Sequence, residues 1–328
     1  MKAAWFEKFG NAAEVLQLGE REKPPVAAGE VLVKLASSGI NPSDVKKRAG
    51  SSPGLLEQGW VIPHSDGAGV IEAVGEGVAA SRIGQRVWVY QAQHGRRFGT
   101  AAEYVSIDQK RAAPLPEAAS MEEGACLGIP AMTAHRCVFA DGPVKGLTVL
   151  VTGGAGRVGH YAIQWAAQSG AQVIATASND VDAAACREAG AIAVVNHREA
   201  NWAEQVVRAN HGKRVDRVVE VDFGANLPVV LDLLCTGGTI ATYASMTQAE
   251  PKLPFYRMMF MDITIHMVLV YEMPEAAKQQ AMDDIEQWLS AGRLQHRVAK
   301  VLPLENIVEA HQYIETGGVR GCVVLSIQ

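Results

Sequence analysis

The sequence predicts an α/β protein: a strand-rich first domain, a doubly wound parallel sheet inserted after it, and a tail that returns to strands. Three observations carry this expectation. Residues 149–160, from Val149 to His160, read as strand, glycine turn and helix without a break. Past Pro114-Leu115-Pro116, strands begin to alternate with helices, which is the signature of a parallel sheet. The last stretches, 299–304 and 322–327, are strand-like again. At 328 residues the chain also exceeds a comfortable single core, so two domains are expected.

In chain order, residues 1–5 open directly as a strand. Apolar, β-branched runs at 31–36, 69–74, 86–90 and 102–107 follow, bounded by turn residues such as Gly75-Glu76-Gly77. Short glycine-bounded strands at this spacing predict a compact β-barrel-like domain. Ser120 and Glu123 form a capping box that starts a helix over 120–124. Strands are then expected at 149–151, 173–177, 193–196, 215–221, 238–241 and 263–270, with helices between most of them. Residues 276–291 form an amphipathic helix with Ile285, Trp288 and Leu289 on one face. Domain limits are set at 1–122, 123–272 and 273–328, the last rejoining the first.

The glycine run gives the inserted domain its chemistry. Gly153 permits the tight turn, Gly156 lets the backbone approach a pyrophosphate, and Gly159 lets helix and strand pack closely. The unpaired N–H groups at the new helix's start, with its positive end, favour phosphate there. Gly153, Ala155, Gly156, Arg157, Val158 and Gly159 are therefore the candidate phosphate-binding residues of a Rossmann-fold unit. Arg157 offers a charge-assisted contact, or else a solvent-facing side chain.

The bulk composition narrows the partners. A net charge of −5, with no long Lys/Arg cluster, gives no reason to expect nucleic acid. No apolar stretch approaches the roughly 20 residues of a membrane span, and the N-terminus lacks a secretory apolar core. A cytoplasmic location is the expectation. Five scattered cysteines with no Cys-x-x-Cys pair support neither a disulfide framework nor a zinc knuckle.

Several motifs stand in a familiar order: Gly39-Ile40-Asn41-Pro42-Ser43-Asp44, the run from Ile62 to Gly75 containing Pro63-His64-Ser65-Asp66-Gly67, Gly124-Ala125-Cys126-Leu127-Gly128-Ile129-Pro130, the glycine run, and Asn196-His197-Arg198. With these the chain resembles the medium-chain dehydrogenase/reductases, most closely their zinc-free, zeta-crystallin-like quinone oxidoreductases. The resemblance implies a GroES-like catalytic domain, an inserted Rossmann cofactor domain and a cleft between them. It also implies NADPH-dependent hydride transfer to quinones or related conjugated carbonyls. Positions that match zinc ligands in the alcohol dehydrogenase branch hold Asn41, Ser65 with Asp66, and Ile129, so no metal site is expected. His64, beside them, reads as a hydrogen-bonded structural histidine.

For the cofactor, the second strand ends in Ala177-Ser178-Asn179, where NAD-binding folds usually place a carboxylate. Ser178 and Asn179 are candidate donors to a 2′-phosphate, Asp180 is read as the next helix's N-cap, and Arg198 as nearby positive charge. NADPH is favoured over NADH. By position in the family, His197 faces the adenosine, while Thr133 and Tyr243-Ala244-Ser245 lie near the nicotinamide. At the reacting end the candidates are Asn41 (or an Asx turn before Pro42), Ser43 (or a helix cap), Lys46 where many relatives carry tyrosine, and Tyr90 (or a core aromatic). The segment from Ile263 to Leu269 matches the edge strand that pairs across the family's homodimer. Enoyl-thioester or alkenal reduction is the competing chemistry, disfavoured by Lys46. An NADPH-binding structural or RNA-binding role is the alternative from another class.

Overall fold

The computed structural model describes residues 1–327. The chain separates into two compact units, Met1–Ile129 with the segment beginning at Met282, and Pro130–Ala281.

The first unit is built on a long strand. β1 (Lys2–Trp5) pairs antiparallel with β2 (Gln17–Glu20) across α1 (Ala12–Val15). β3 (Glu30–Ile40) then turns into α2 (Pro42–Lys46), and β4 (Asp66–Val74), β5 (Arg86–Val89), β6 (Tyr104–Asp108) and β7 (Ala112–Pro114) follow, closed by α3 (Met121–Gly124). β3 pairs with β4 along one edge. Its other edge is shared: Glu30 to Lys34 pair with β6, and Ser37 to Ile40 with a strand from the C-terminal tail. The register with β4 on the opposite edge shifts between Leu35 and Ser37, level with this change of partner. Alternating inward residues such as Val31, Val33, Leu35, Ile71, Val87 and Val105 fill the interior.

The second unit is a parallel sheet wrapped by helices. Its elements are α4 (Met132–Phe139), β8 (Thr148–Val151), α5 (Arg157–Gln168), β9 (Gln172–Ala177), α6 (Asp180–Glu188) and β10 (Ala193–Asn196). They continue with α7 (Trp202–Ala209), β11 (Val215–Glu220), α8 (Phe223–Leu233), β12 (Leu234–Thr242), α9 (Phe255–Phe260) and β13 (Thr264–Met267). The strand order is β10-β9-β8-β11-β12-β13, every pair parallel. Chain direction across the sheet reverses beside β8, which leaves a crevice at the strands' carboxyl ends. Val149, Leu150, Val173, Ile174, Val218 and Ile240 are fully buried, as strands covered on both faces require.

The chain then passes through α10 (Glu275–Ser290) into β14 (Val298–Pro303), α11 (Ile307–Glu315) and β15 (Cys322–Ser326). β14 and β15 are parallel, and β15 completes the edge of β3. The architecture is thus a GroES-like β-rich domain with an inserted Rossmann sheet. The capping box at Ser120 and Glu123 is present, with Glu123 N–H donating to Ser120 Oγ at 3.2 Å and Ser120 N–H to Glu123 Oε2 at 2.8 Å.

Three local expectations are corrected. Asn179, not Asp180, caps α6: Asp182 N–H donates to Asn179 Oδ1 at 2.9 Å, and Asp180 is the first helical residue. Asn41, not Ser43, caps α2, because Pro42 has no N–H and fits the first helical turn. The edge strand β13 spans four residues rather than eight. It starts after Asp262, whose φ is +49°, and gives way to a 3₁₀ turn at Val270–Glu272. On α9, Met259 and Phe260 are exposed at 49% and 78%, while Met261 just after it is buried.

Replacing Ser120 by Ala removes the acceptor for Glu123 N–H. It is expected to lower stability by about 1 kcal/mol, read as a shift in denaturant midpoint at unchanged slope.

Candidate functional site

In the second unit, the phosphate-loop candidates sit where β8 ends and α5 begins. Gly153 has φ +61°, a conformation that glycine reaches without strain. Its N–H donates to Thr176 Oγ1 at 3.0 Å, and Gly154 N–H donates to the Thr176 carbonyl at 2.9 Å, so the loop is tied to the end of β9. A Cβ on Gly159 would stand 2.4 Å from the Gly153 carbonyl oxygen, so the helix lies as near the loop as a bare backbone allows. Gly156 is the N-cap of α5 and provides no side-chain cap. The first N–H groups of that 12-residue helix, those of Arg157, Val158 and Gly159, have no intrahelical acceptor and meet the requirement of a phosphate cradle. Ala155 is buried; Arg157 and Val158 are half-buried.

The remaining second-unit candidates lie mostly at the same carboxyl ends. Ala177 is buried and Ser178 half-buried, with no carboxylate at the tip of β9. Asn179 is exposed, but its amide is used within the cap: Oδ1 accepts from Asp182 N–H, and Nδ2 donates to Asp182 Oδ2 at 2.9 Å. His197 and Arg198 are exposed beyond β10, and His197 N–H reaches the Ala177 carbonyl at 3.3 Å, which brings them beside Ser178. Thr133 is buried in the first turn of α4. Tyr243 N–H donates to the Glu220 carbonyl at 3.3 Å, setting the 243–245 segment next to the end of β11. Burial, with Cys137 and Glu220 nearby, pushes the Tyr243 phenol well above its ordinary value, so it stays protonated at neutral pH. The Ser245 hydroxyl accepts from Gly224 N–H at 2.9 Å and donates to the Gln248 carbonyl, a local role that holds the start of α8.

In the first unit, Asn41 is gripped twice by carboxylates. Its backbone N–H donates to Asp44 Oδ2 at 2.8 Å, and its side-chain Nδ2 donates to Asp66 Oδ2 at 2.8 Å. Asp66 Oδ2 also accepts from Ile129 N–H at 2.8 Å. Both carboxylates are fully buried, and Oδ1 of each has no hydrogen-bond partner. Burial raises Asp44 to about 6 and Asp66 to about 8, each opposed in part by Lys47. Lys47 donates to the Gln93 carbonyl at 2.9 Å and to Gln93 Oε1 at 3.1 Å, and its own burial lowers its pKa. Lys46, the residue singled out by position, is exposed at the end of α2; the ammonium turned toward the carboxylates belongs to its neighbour. Ser43 is half-buried on the first turn of that helix.

Of the two readings the sequence leaves open for Tyr90, the structure has the core aromatic. It is 1% exposed, its hydroxyl donates to the Lys110 carbonyl at 2.9 Å and accepts from Arg111 Nη1 at 3.0 Å. His64 is structural, as read, but not alone. Its Nδ1 meets Ser38 Oγ at 2.9 Å and its Nε2 meets Nε2 of buried His311, also at 2.9 Å. One ring must donate and the other accept, so both cannot be charged. Burial holds His64 down at about 3 and His311 well below its usual value.

The donor set at the positions matching zinc ligands does not fit that metal. An amide, a hydroxyl, one carboxylate and an aliphatic side chain replace the usual thiolates and imidazole. Among the described residues, no three His, Cys, Asp or Glu side chains are grouped to hold a metal ion. None of the described helices is long and apolar enough to cross a membrane.

Asp44, Asp66, Lys47 and Glu220 were not singled out as functional candidates by the sequence. Asp44 had one legible signal, since Asn41-x-x-Asp44 has capping-box spacing. Glu220 at the tip of β11 is fully buried, and burial raises its pKa.

The comparisons with known proteins agree with this geometry. Residues 27–117 match the family profile described as alcohol dehydrogenase GroES-like domain, and residues 158–287 match the one described as zinc-binding dehydrogenase. The quinone oxidoreductase of Homo sapiens is 32% identical over 99% of this chain and 97% of its own length. A mycobacterial protein solved as a complex with NADPH superposes with a TM-score of 0.87 at 27% identity, covering 99% of this chain and 100% of that one. An NAD-dependent alcohol dehydrogenase structure gives the same TM-score at 28% identity, with both chains fully covered. This chain belongs to the quinone oxidoreductase family of the medium-chain dehydrogenase/reductases, and it is an oxidoreductase.

The buried imidazoles give a pH prediction. His64 has a folded-state pKa depressed from the usual 6.5 to about 3, so its contribution to stability is present above pH 6.5 and is lost as pH falls toward 3. Asn tolerates the left-handed backbone at this position, where φ is +78°. The stability gap between wild type and His64→Asn should therefore narrow by on the order of 2 kcal/mol between pH 7 and pH 5 in urea unfolding. A gap independent of pH would count against the neutral-histidine pair.

Proposed function

We propose that this protein transfers a hydride from NADPH to quinones or related conjugated carbonyls without zinc. The observation that carries the reading is the glycine cradle at the start of α5, in a chain similar over its whole length to quinone oxidoreductases. The bound nicotinamide supplies the hydride. Backbone N–H groups of Arg157, Val158 and Gly159 hold the pyrophosphate against the helix's positive end. Thr133 and the 243–245 segment are assigned to the nicotinamide end, and His197 to the adenosine.

The preference for NADPH rests on charge. No carboxylate stands at the tip of β9 itself, the first being Asp180 and Asp182 in the opening turn of α6, while Ser178 and Arg198 provide a hydroxyl and a cation. A relative of the same fold was solved with NADPH. At the reacting end Asn41 is assigned as the hydrogen-bond donor to the acceptor's oxygen, with Ser43 and Lys46 on the same short helix. Without a ligand set for zinc, the acceptor must be electrophilic by itself, and a conjugated ring or alkene satisfies this by delocalising the charge. We further infer a homodimer through β13, an edge strand four residues long on which Met267 is 69% exposed.

NADPH and NADH oxidation against matched quinone and enal panels tests the function. The expected result is quinone-dependent NADPH consumption, slower with NADH, unchanged by chelators and with no stoichiometric zinc by elemental analysis. Consumption with enals alone would replace the quinone reading with alkene reduction. Gly159→Ala forces a methyl against the loop carbonyl and should weaken NADPH binding at least about tenfold, measured by quenching of protein fluorescence. Light scattering is expected to report two chains, and Met267→Lys to favour one.

A further inference from the structure

Asn41 can serve the acceptor only if its amide is held still and its surroundings do not oppose negative charge. The carboxylate that holds it is in an unusual position. Asp66 Oδ2 receives two donors, Asn41 Nδ2 and Ile129 N–H, while Oδ1 is buried with no partner. Oδ1 lies against Gly128, where even a methyl group would come within 2.1 Å of it. On that side the oxygen faces glycine backbone, with no room for a side chain. A carboxylate ionised here would leave half its charge without a hydrogen bond, next to a second buried carboxylate at Asp44. Hydride arrival puts negative charge on the acceptor oxygen, and an anion bonded to the very amide that should receive it would work against the reaction.

We propose that Asp66 is a positioning residue that works as a neutral acid, fixing the Asn41 amide while presenting no negative charge to the acceptor oxygen that the amide serves. This rests on the reductase reading of the site. The groups that face Asp66 are few. Asp44 and the Cys126 thiol lie on neighbouring elements, Lys47 supplies the one nearby cation, and Thr100 Oγ1 donates to the Asp66 carbonyl at 2.6 Å. His64, two residues away, is neutral and turned to Ser38 and His311. Burial dominates and pushes the Asp66 carboxyl up to about 8, so the neutral form prevails at pH 7.

The test compares D66N, which is neutral at every pH and keeps an acceptor for both donors, with D66A, which keeps none. For the wild type, kcat/KM with a quinone acceptor should fall about tenfold per pH unit above pH 8. In D66N that alkaline limb should be absent, with kcat/KM at pH 7 within about threefold of wild type. D66A should lose at least about tenfold at pH 7 while its circular dichroism is unchanged. A limb unaltered in D66N, or D66N as impaired as D66A, would overturn the proposal. Carbon-13 NMR of the Asp66 carboxyl separates the two readings, because it needs no substrate. A midpoint near 4 sinks the neutral acid even in an active enzyme. A midpoint near 8 in a protein that reduces no acceptor would leave the acid in place and remove the reductase reading.

Discussion

The distance of closest approach between two backbones governs the second unit. Where β8 ends, the loop must turn on Gly153 and then admit α5 directly above its own carbonyl, and any side chain at Gly159 would collide with that oxygen. The same crowding recurs one residue on, where a methyl at Gly154 would meet Ala175, Cys186 and Ile163 at 2.9 Å each. Helix start, strand end and the neighbouring strand are thereby locked into one arrangement. The first turn of α5 is set at a fixed height above the carboxyl ends of the strands. A binding surface made of backbone cannot be re-aimed by rotamer changes, which is why such a cradle is built from residues that have no side chain to move.

The first unit solves a different problem, that of burying titratable groups without burying charge. His64 and His311 share a proton contact that cannot be made when both are ionised. Asp44 and Asp66 sit on either side of Asn41, with one ammonium near them both. Two charges remain inside at neutral pH: Asp44, raised only to about 6, and Arg48, a fully buried guanidinium that donates to the Gly10 carbonyl at 2.6 Å and pairs with Glu315. Arg48 ties the chain's first loop to the helix α11 near its end. Removing one partner of such a pair costs far more than the pair contributes, because the other charge is left stranded.

Most of the fold was legible because it follows from periodicity and glycine. The six sheet strands of the inserted unit are all visible as β-branched runs, and the cap at Ser120 as a four-residue pattern. Errors gathered where a boundary depends on which of two adjacent polar residues turns inward. Asn179 and Asp180 are equally good caps by type, and the backbone chose the first. The candidate site was legible as positions and not as chemistry. Asp66 appears in the sequence as an ordinary aspartate, and what makes it unusual is its burial, set by Asn41 and by Gly128-Ile129 from two other segments. Lys46 and Lys47 are likewise indistinguishable until the helix phase of α2 decides which one faces Gln93. Tyr90 stayed open between cleft and core because its strand ends one residue before it, which leaves the direction of its hydroxyl unset.

The sharing of one edge of β3 between two partners has a consequence for how the chain is made. Residues 30–34 find β6 early in synthesis, but residues 37–40 wait for residues 323–326, which follow the whole inserted unit. Throughout that interval the ribosome delivers the entire inserted unit, which can fold as soon as β13 emerges, while its host still carries an unsatisfied strand edge. The nascent protein therefore has a finished interior domain and an unfinished exterior one. Its period of greatest exposure to wrong pairing comes after the inserted unit has emerged, not before it.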